Sequence, residues 1–352
     1  MLIFNWKQIK DKDRGLTFDD VIIVPSKSEV RSRRDPVLTT RLTKGLNFET
    51  PIISANMDTV TEAEMAIAMD HLGAFGILHR FMSVDEQVAQ ARRVKESGAG
   101  QIGASIGVNT GASDDFKARS KALIEVGVNV LTIDIAHGHS TSMIETLQWL
   151  KQTYPEIQII AGNIATQEGT LDLIQAGADA IKVGIGPGSM CTTRIITGCG
   201  VPQLTAIALC AEVANEYDVP IIADGGLRTS GDMVKAFAAG ASSVMVGSML
   251  SGTLETPGEI KGGRKQYRGM ASKSAQVSWR GGVPEGMAAE GEATLVNIKG
   301  HVKDVIAEMC GGIRSGMSYV NATSIAEIRE KARFMQMSAA GASESRAHGM
   351  NL

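Results

Sequence analysis

The sequence predicts an α/β protein, a single-domain (β/α)8 TIM barrel, on three observations. Eight short apolar runs recur along the 352 residues, their starts separated by 23, 27, 29, 27, 23, 40 and 23 residues, about the span of a strand, a loop and an amphipathic helix. The runs are almost continuously apolar, as strands buried on both faces of a parallel sheet must be. No GxGxxG fingerprint opens the first unit, which leaves an open doubly wound sheet as the alternative to a closed barrel.

Residues 1–50, including LTFDDVIIVPSKSEV, precede the repeat and are expected to form a lid or short strands under the barrel. The runs then read PIISANM from Pro51, AFGILH from Ala74, QIGASIG from Gln101 and VLTIDIA from Val130. IQIIAGNI from Ile157, AIKVGIG from Ala180, PIIADGG from Pro220 and SVMVGSM from Ser243 complete the eight. TEAEMAIAMDHLG, SKALIEVG, TLDLIQAGA and SGDMVKAFAAGA supply helical connections, several closed by a glycine at the C-cap. After the eighth run, residues 254–300 are too long and glycine-rich for an ordinary connection. A structureless active-site flap over about 262–300 is expected there. The last segment, about 338–352, is small and polar and frays unless a neighbouring subunit holds it.

Composition narrows the function. A formal net charge of −3 with interspersed signs provides neither a basic face for nucleic acid nor an acidic tail. No stretch of 18 apolar residues exists for a membrane span, and the first residues are apolar before they are charged, the wrong order for a secretory signal. Four cysteines without a CxxC pair argue against a disulfide scaffold or a zinc site and for a cytoplasmic protein with reduced thiols. The HGH of His137 to His139 lacks a third metal ligand.

In a barrel of this kind chemistry belongs at the strand ends. Asn56, Asp58, His79, Asp134, Asn163, the loop Gly186 to Arg194, Asp224 to Gly226, and Gly247 with Ser248 all fall there. Any one of them could cap a helix, but seven such ends together point to a shared site. The seventh and eighth loops suit a phosphate, through amides of Gly226 and Gly247 and the Ser248 hydroxyl, with Ser189 adding a donor. Asp224 suits ribose hydroxyls. Phosphate plus ribose means a nucleotide, with the base left open, since flavin mononucleotide satisfies the same donors. Cys191 is the candidate nucleophile, because loop amides and helix N-termini favour a thiolate. Cys199 is close in sequence and chemically eligible, whereas Cys210 reads as a buried small hydrophobe.

GIGPGSMCTTR, TGCGVPQ, ADGGLRTSGD and YRGMASKSA closely resemble the IMP dehydrogenase and GMP reductase family, over nearly the whole chain. The resemblance implies a barrel that assembles as a homotetramer and binds a purine nucleoside monophosphate, GMP or IMP, and a nicotinamide cofactor. It implies that Cys191 attacks C2 of the purine. RRVKESGAGQIGASIG runs straight through the point after the second helix where many relatives insert a pair of regulatory CBS modules, so these are absent.

Two activities share the covalent adduct in that family. A dehydrogenase passes hydride from IMP to NAD and uses an Arg-Tyr pair on the flap to activate water. A reductase expels ammonia from GMP and takes hydride from NADPH. Here YRGMASKSAQVSWRGGVPEGMAAEG contains no Arg-Tyr step, and its length and ending are similar to GMP reductase, with Trp279 before Arg280. An IMP dehydrogenase without regulatory modules is the alternative, and a barrel that binds nucleotide without catalysis is a third reading. By resemblance, Thr193 and Glu290 relay a proton to the leaving ammonia. Ser189, Asp224, Gly226, Gly247, Ser248, Tyr267, Met270 and Gly291 hold the nucleotide. Arg80, Asp134, Ala136, Arg314 and Ser315 line the cofactor side, Arg80 standing where the family usually has lysine. A K+ site through backbone carbonyls of Gly186, Gly188 and Cys191 is also implied. Relatives complete it with a Glu-Ser-His tail, where this chain has Glu344, Ser345 and the cation-repelling Arg346.

Overall fold

Each of the eight apolar runs forms one strand in the computed structural model, which describes residues 2–108 and 115–345. The strands are β1 Ile52–Ser54, β2 Phe75–Leu78, β3 Gly103–Ile106, β4 Val130–Asp134, β5 Gln158–Ile164, β6 Ala180–Val183, β7 Ile221–Asp224 and β8 Ser243–Val246. All pair in parallel, and β8 pairs back onto β1, so the sheet closes and the open-sheet alternative is excluded. Helices α1 Ala63–His71, α2 Val84–Glu96, α3 Asp115–Val126, α4 Thr141–Thr153 and α5 Gln167–Gln175 follow the first five strands. The short α6 Thr193–Thr197 and then α7 Gln203–Glu216 follow β6, which accounts for the one long interval of 40 residues. α8 Ser230–Ala238 follows β7, and α10 Val302–Tyr319 closes the ring of helices by packing between α8 and α1.

Alternation along the strands sends one set of side chains inward and the other toward the helices. Ile53, Ile77, Val130, Ile160, Ala180, Ile222 and Met245 fill the barrel interior. Leu42 and Phe48 plug its lower end from a hairpin of Thr40–Arg41 with Asn47–Phe48. That hairpin is tied to the strand starts, Lys44 N–H donating to Asp179 O at 2.9 Å and Thr43 Oγ1 meeting Gln158 Oε1 at 2.6 Å. Burying two such side chains contributes roughly 1.5–3 kcal/mol each. The rest of the N-terminal segment is no lid: Ile3–Phe4 and Val21–Ile23 flank Phe334–Gln336 in a small antiparallel sheet.

The flap departs from the expectation of a structureless loop. It is an antiparallel pair, β9 Arg264–Arg268 with β10 Ala293–Asn297, and between them lies α9 Lys273–Arg280. The apolar alternation that announces a strand is missing because the residues β9 buries are Lys265 and Tyr267. The Lys265 ammonium is satisfied by carbonyls, Thr253 O at 3.2 Å, Leu254 O at 3.0 Å and Thr256 O at 2.5 Å. A lysine surrounded by backbone oxygens thus does the anchoring that an apolar residue usually does.

Candidate active site

The strand-end polar residues are not the helix caps. Ser83, Ser140, Thr166 and Thr229 cap α2, α4, α5 and α8. This leaves Asn56, Asp58, His79, Asp134, Asn163 and Asp224 to line one cleft at the C-terminal mouth of the barrel. Its volume is about 1500 Å³, above the ~1,000 Å³ upper range of single-ligand pockets.

The cysteine loop is built by glycine geometry. Gly186 has φ of 77°, and a Cβ there would come within 2.6 Å of the Arg194 side chain. The Arg194 Nε instead donates to Ile185 O at 3.0 Å and bolts the two ends of the loop together. Cys191 N–H donates to Gly188 O at 3.1 Å, presenting the half-buried sulfur to the cleft. Cys191 Sγ lies 3.1 Å from Thr193 Oγ1, which donates to Glu290 Oε2 at 2.7 Å. The three residues therefore form one continuous chain, although Glu290 comes from the flap. The flap is stitched to the loop on both sides of the cysteine, Thr192 N–H to Glu290 O at 3.2 Å and Glu292 N–H to Met190 O at 2.9 Å. Cys199 is exposed on the far side of α6 and does not line the cleft, while burial pushes the Cys210 thiol up to about 12.

Ser189, Gly226, Gly247, Ser248 and Tyr267 gather at one end of the cleft. Tyr267 Oη is 3.3 Å from Ser189 Oγ, and burial raises the phenol, so it is a neutral hydroxyl donor. A Cβ on Gly247 would sit 3.1 Å from that Oη, so the glycine keeps the corner open. Met270 lines the neighbouring wall, its sulfur accepting the Asp58 N–H at 3.3 Å. Asp224 takes Asn163 Nδ2 at 2.8 Å and Lys182 Nζ at 2.9 Å, both on Oδ2. Both bonds fall on one oxygen, which leaves Oδ1 available to a ligand hydroxyl.

Arg80, Asp134 and Ala136, at and just beyond the ends of β2 and β4, line the cleft as well. The guanidinium of Arg80 lies 4.8 Å from the Phe81 ring, and Phe81 packs edge-on against Trp279 of α9, with centroids 5.5 Å apart. Arg80 Nε is buried without a hydrogen-bond partner among the described residues. An orphaned donor beside an aromatic wall is what an incoming polar ligand would satisfy.

Two expected groups belong elsewhere. Arg314 and Ser315 lie on α10 in the outer ring, where Arg314 Nε donates to Pro36 O at 3.3 Å, and neither lines the cleft. Gly291 is a packing position: its backbone bridges Cys191 and Ser272, and an added Cβ would meet Ser272 N at 3.0 Å. Gly186 and Gly188 line the cleft, with the Gly188 carbonyl already accepting from Cys191. Glu344 ends a short helix, Ala339–Glu344, and Ser345 caps it, while Arg346 lies outside the described residues.

Sequence reasoning missed two groups. Lys182 sits inside AIKV, a run that reads as apolar, yet it is only 2% exposed and bonds Asp134 Oδ1 at 2.8 Å. The available signal was a lysine at an inward position of a core strand, since lysine is almost never fully buried without a partner. The second is Arg268 on the flap. It pairs with Asp58 through Nε–Oδ2 at 3.0 Å and donates to Ser274 O and Ser278 Oγ at 3.0 Å, tying β9 and α9 to the first strand end. Arg268→Met is expected to cost about 3–5 kcal/mol in denaturant unfolding, because Asp58 is left as an uncompensated, nearly buried charge. Adding Asp58→Asn should recover much of that loss; an unchanged midpoint in the single variant would show that the pair contributes nothing.

Comparisons with known proteins meet this geometry. The model of the IMP dehydrogenase / GMP reductase domain matches residues 15–348. An inosine-5′-monophosphate dehydrogenase from Cryptosporidium parvum is 41% identical over 396 residues, covering 97% of each chain. One from Nitrosopumilus maritimus is 36% identical over 470 residues, covering 96% of this chain and 99% of the other. Both alignments are longer than this chain, so those relatives carry internal segments that it lacks. A solved structure of a GMP reductase variant from Trypanosoma brucei, in complex with guanosine 5′-monophosphate, superposes with a TM-score of 0.90 at 33% identity. It covers 98% of this chain and 100% of that one.

Proposed function

The chain belongs to the IMP dehydrogenase / GMP reductase family of oxidoreductases, and within that family we propose that it is a GMP reductase, converting GMP to IMP and ammonia at the expense of NADPH. The observation that carries this reading is the unbroken chain from Cys191 Sγ through Thr193 Oγ1 to Glu290 Oε2. It is supported by a flap that brings Ser278, Trp279 and Arg280 of α9 to the cleft and contains no Arg-Tyr pair to activate water.

The chemistry follows from those atoms. Cys191 sulfur adds to C2 of the purine, and the displaced electron pair passes to N3. The 2-amino group is a poor leaving group until protonated, and Glu290 delivers that proton through the Thr193 hydroxyl. Ammonia departs while the sulfur stays bonded to C2. NADPH, which Arg80, Asp134 and Ala136 would hold, would supply the hydride to C2, and breaking of the C–S bond would then return the thiolate and release IMP. Ser189, Gly226, Gly247, Ser248 and Tyr267 would hold the phosphate, Asp224 the ribose and Met270 the base. Arg80, Asp134 and Ala136 fit the cofactor side, where the orphaned Arg80 Nε and the Phe81–Trp279 wall offer a polar contact and a flat apolar one. Arg80 orients but does not release a proton readily, so the proton falls to Glu290. A homotetramer belongs to the same reading: Ile195 and Ile196 on α6 are 82% and 49% exposed, apolar surface of the sort another copy covers.

The second reading is an IMP dehydrogenase without regulatory modules, favoured by the dehydrogenases at 36–41% identity. Absorbance of the reduced nicotinamide separates the two. GMP with NADPH should lose absorbance, and IMP with NAD should gain almost none. The reverse pattern establishes the dehydrogenase, and silence in both mixtures with nucleotide bound establishes a binding module.

A further inference from the structure

We propose that Lys182 is a positioning residue that joins the two halves of the cleft into one charge unit, allowing Asp224 on the nucleotide side and Asp134 on the cofactor side to be ionised together. The inference rests on the family's two ligands and on the assignment of those carboxylates to opposite halves. It does not depend on the direction of the reaction.

Lys182 is the upper inward residue of β6, one layer above Ala180, and its side chain is 2% exposed. Its ammonium has three donors, and three oxygens receive them: Asp134 Oδ1 at 2.8 Å, Asp224 Oδ2 at 2.9 Å, and Asn163 Oδ1. No proton is left to donate to a ligand, so the lysine acts through its neighbours. Both carboxylate oxygens bond the same nitrogen, so they stand within roughly 6 Å of each other in a largely buried site. Two carboxylates that close cannot both stay ionised without a counter-charge.

The other groups facing this cluster do not replace the ammonium. Asn56 from the end of β1, Asn163 from β5 and the Tyr267 phenol of the flap are neutral, and Arg80 beyond β2 acts on Asp134. Burial alone would raise the Asp134 carboxyl. Lys182, then Arg80 and Asn56, more than offset it and hold that carboxyl below the ordinary aspartate value. Burial likewise works against the ammonium, and the two aspartates overcome it and raise Lys182. Asn163 Nδ2 also binds Gly184 O at 2.8 Å, so the cluster is braced to the start of the cysteine loop.

The test compares Lys182→Met and Lys182→Arg with the unsubstituted protein, without turnover. Carboxyl-labelled aspartate is followed by NMR in the ligand-free protein from pH 5.5 to 9, and GMP, IMP and NADPH affinities are measured by calorimetry over the same range. In Lys182→Met one carboxyl should titrate between about pH 6 and 8. Its affinity for nucleotide and for cofactor, relative to the unsubstituted protein, should fall at least 10-fold at pH 6, where one carboxyl carries a proton, and recover toward pH 8.5, where both are ionised. Lys182→Arg should show no such titration and bind within about 3-fold throughout. A pH-independent loss would make Lys182 a packing residue and overturn the proposal, as would a response of one ligand alone. Should Lys182→Met fail to fold, Lys182→Met with Asp134→Asn decides: a folded, non-titrating double variant supports the charge unit, and a double variant that also fails to fold refutes it. If the unsubstituted protein binds neither GMP nor IMP, the functional reading falls, while the carboxyl titration still judges Lys182.

Discussion

Replacing Cys191 with serine is expected to lower GMP turnover by at least about 10³-fold while leaving the Kd for GMP within about 5-fold of its original value. The hydroxyl is nearly the size of the thiol, so the loop that presents it, held by Arg194 and by the flap pairing, has no reason to rearrange. What disappears is the nucleophile. Serine at this position has no base in direct contact to activate it: its neighbour is the hydroxyl of Thr193, 3.1 Å from the sulfur, and an alkoxide is far harder to form than a thiolate. Stopped-flow absorbance for turnover and calorimetry for binding separate the two effects. Mass spectrometry of quenched reactions should show a nucleotide adduct on the unsubstituted protein and none on the variant. Retained turnover in the serine variant would remove the covalent step and with it the proposed reaction.

Glu290→Gln should lower reductase turnover by about 10²–10⁴-fold, the span of a lost general acid. The amide can still accept the Thr193 hydrogen bond that Glu290 now accepts at 2.7 Å, so the flap should stay in register and GMP should bind almost normally. It cannot carry a proton. The defect should therefore appear in kcat far more than in KM, and the release of ammonia should slow in step with it. A substrate with a better leaving group at C2, such as the 2-chloro purine nucleotide, should be processed by both proteins at similar rates, because its departure needs no proton. Equal impairment on both substrates would make Glu290 a structural support for the flap.

The eight strands, their order and the strand-end location of the site were readable from spacing, because a buried parallel strand leaves a run of apolar residues that survives any detail of packing. Cys191 was likewise legible from the glycines around it. The helix caps could not be told apart from ligand contacts along the chain: Asp134, Asn163 and Asp224 sit at strand ends as Ser140, Thr166 and Thr229 sit before helices, and only closure of the barrel turns the first set toward a common centre. Arg314 and Ser315 illustrate the converse, since their sequence neighbourhood matches a family pattern while α10 carries them away from this chain's own cleft.

By itself the sequence determined the barrel, the glycine-rich cysteine loop and the family, all properties of local periodicity and contiguous motif. Tertiary structure alone decided that Glu290, 97 positions from Thr193, completes its hydrogen-bond chain, and that Lys182 lies between two carboxylates. Those are contacts across strands and across the flap, set by three-dimensional distance and by the exclusion of water. A one-dimensional pattern records which residues are apolar but not which buried charges find each other.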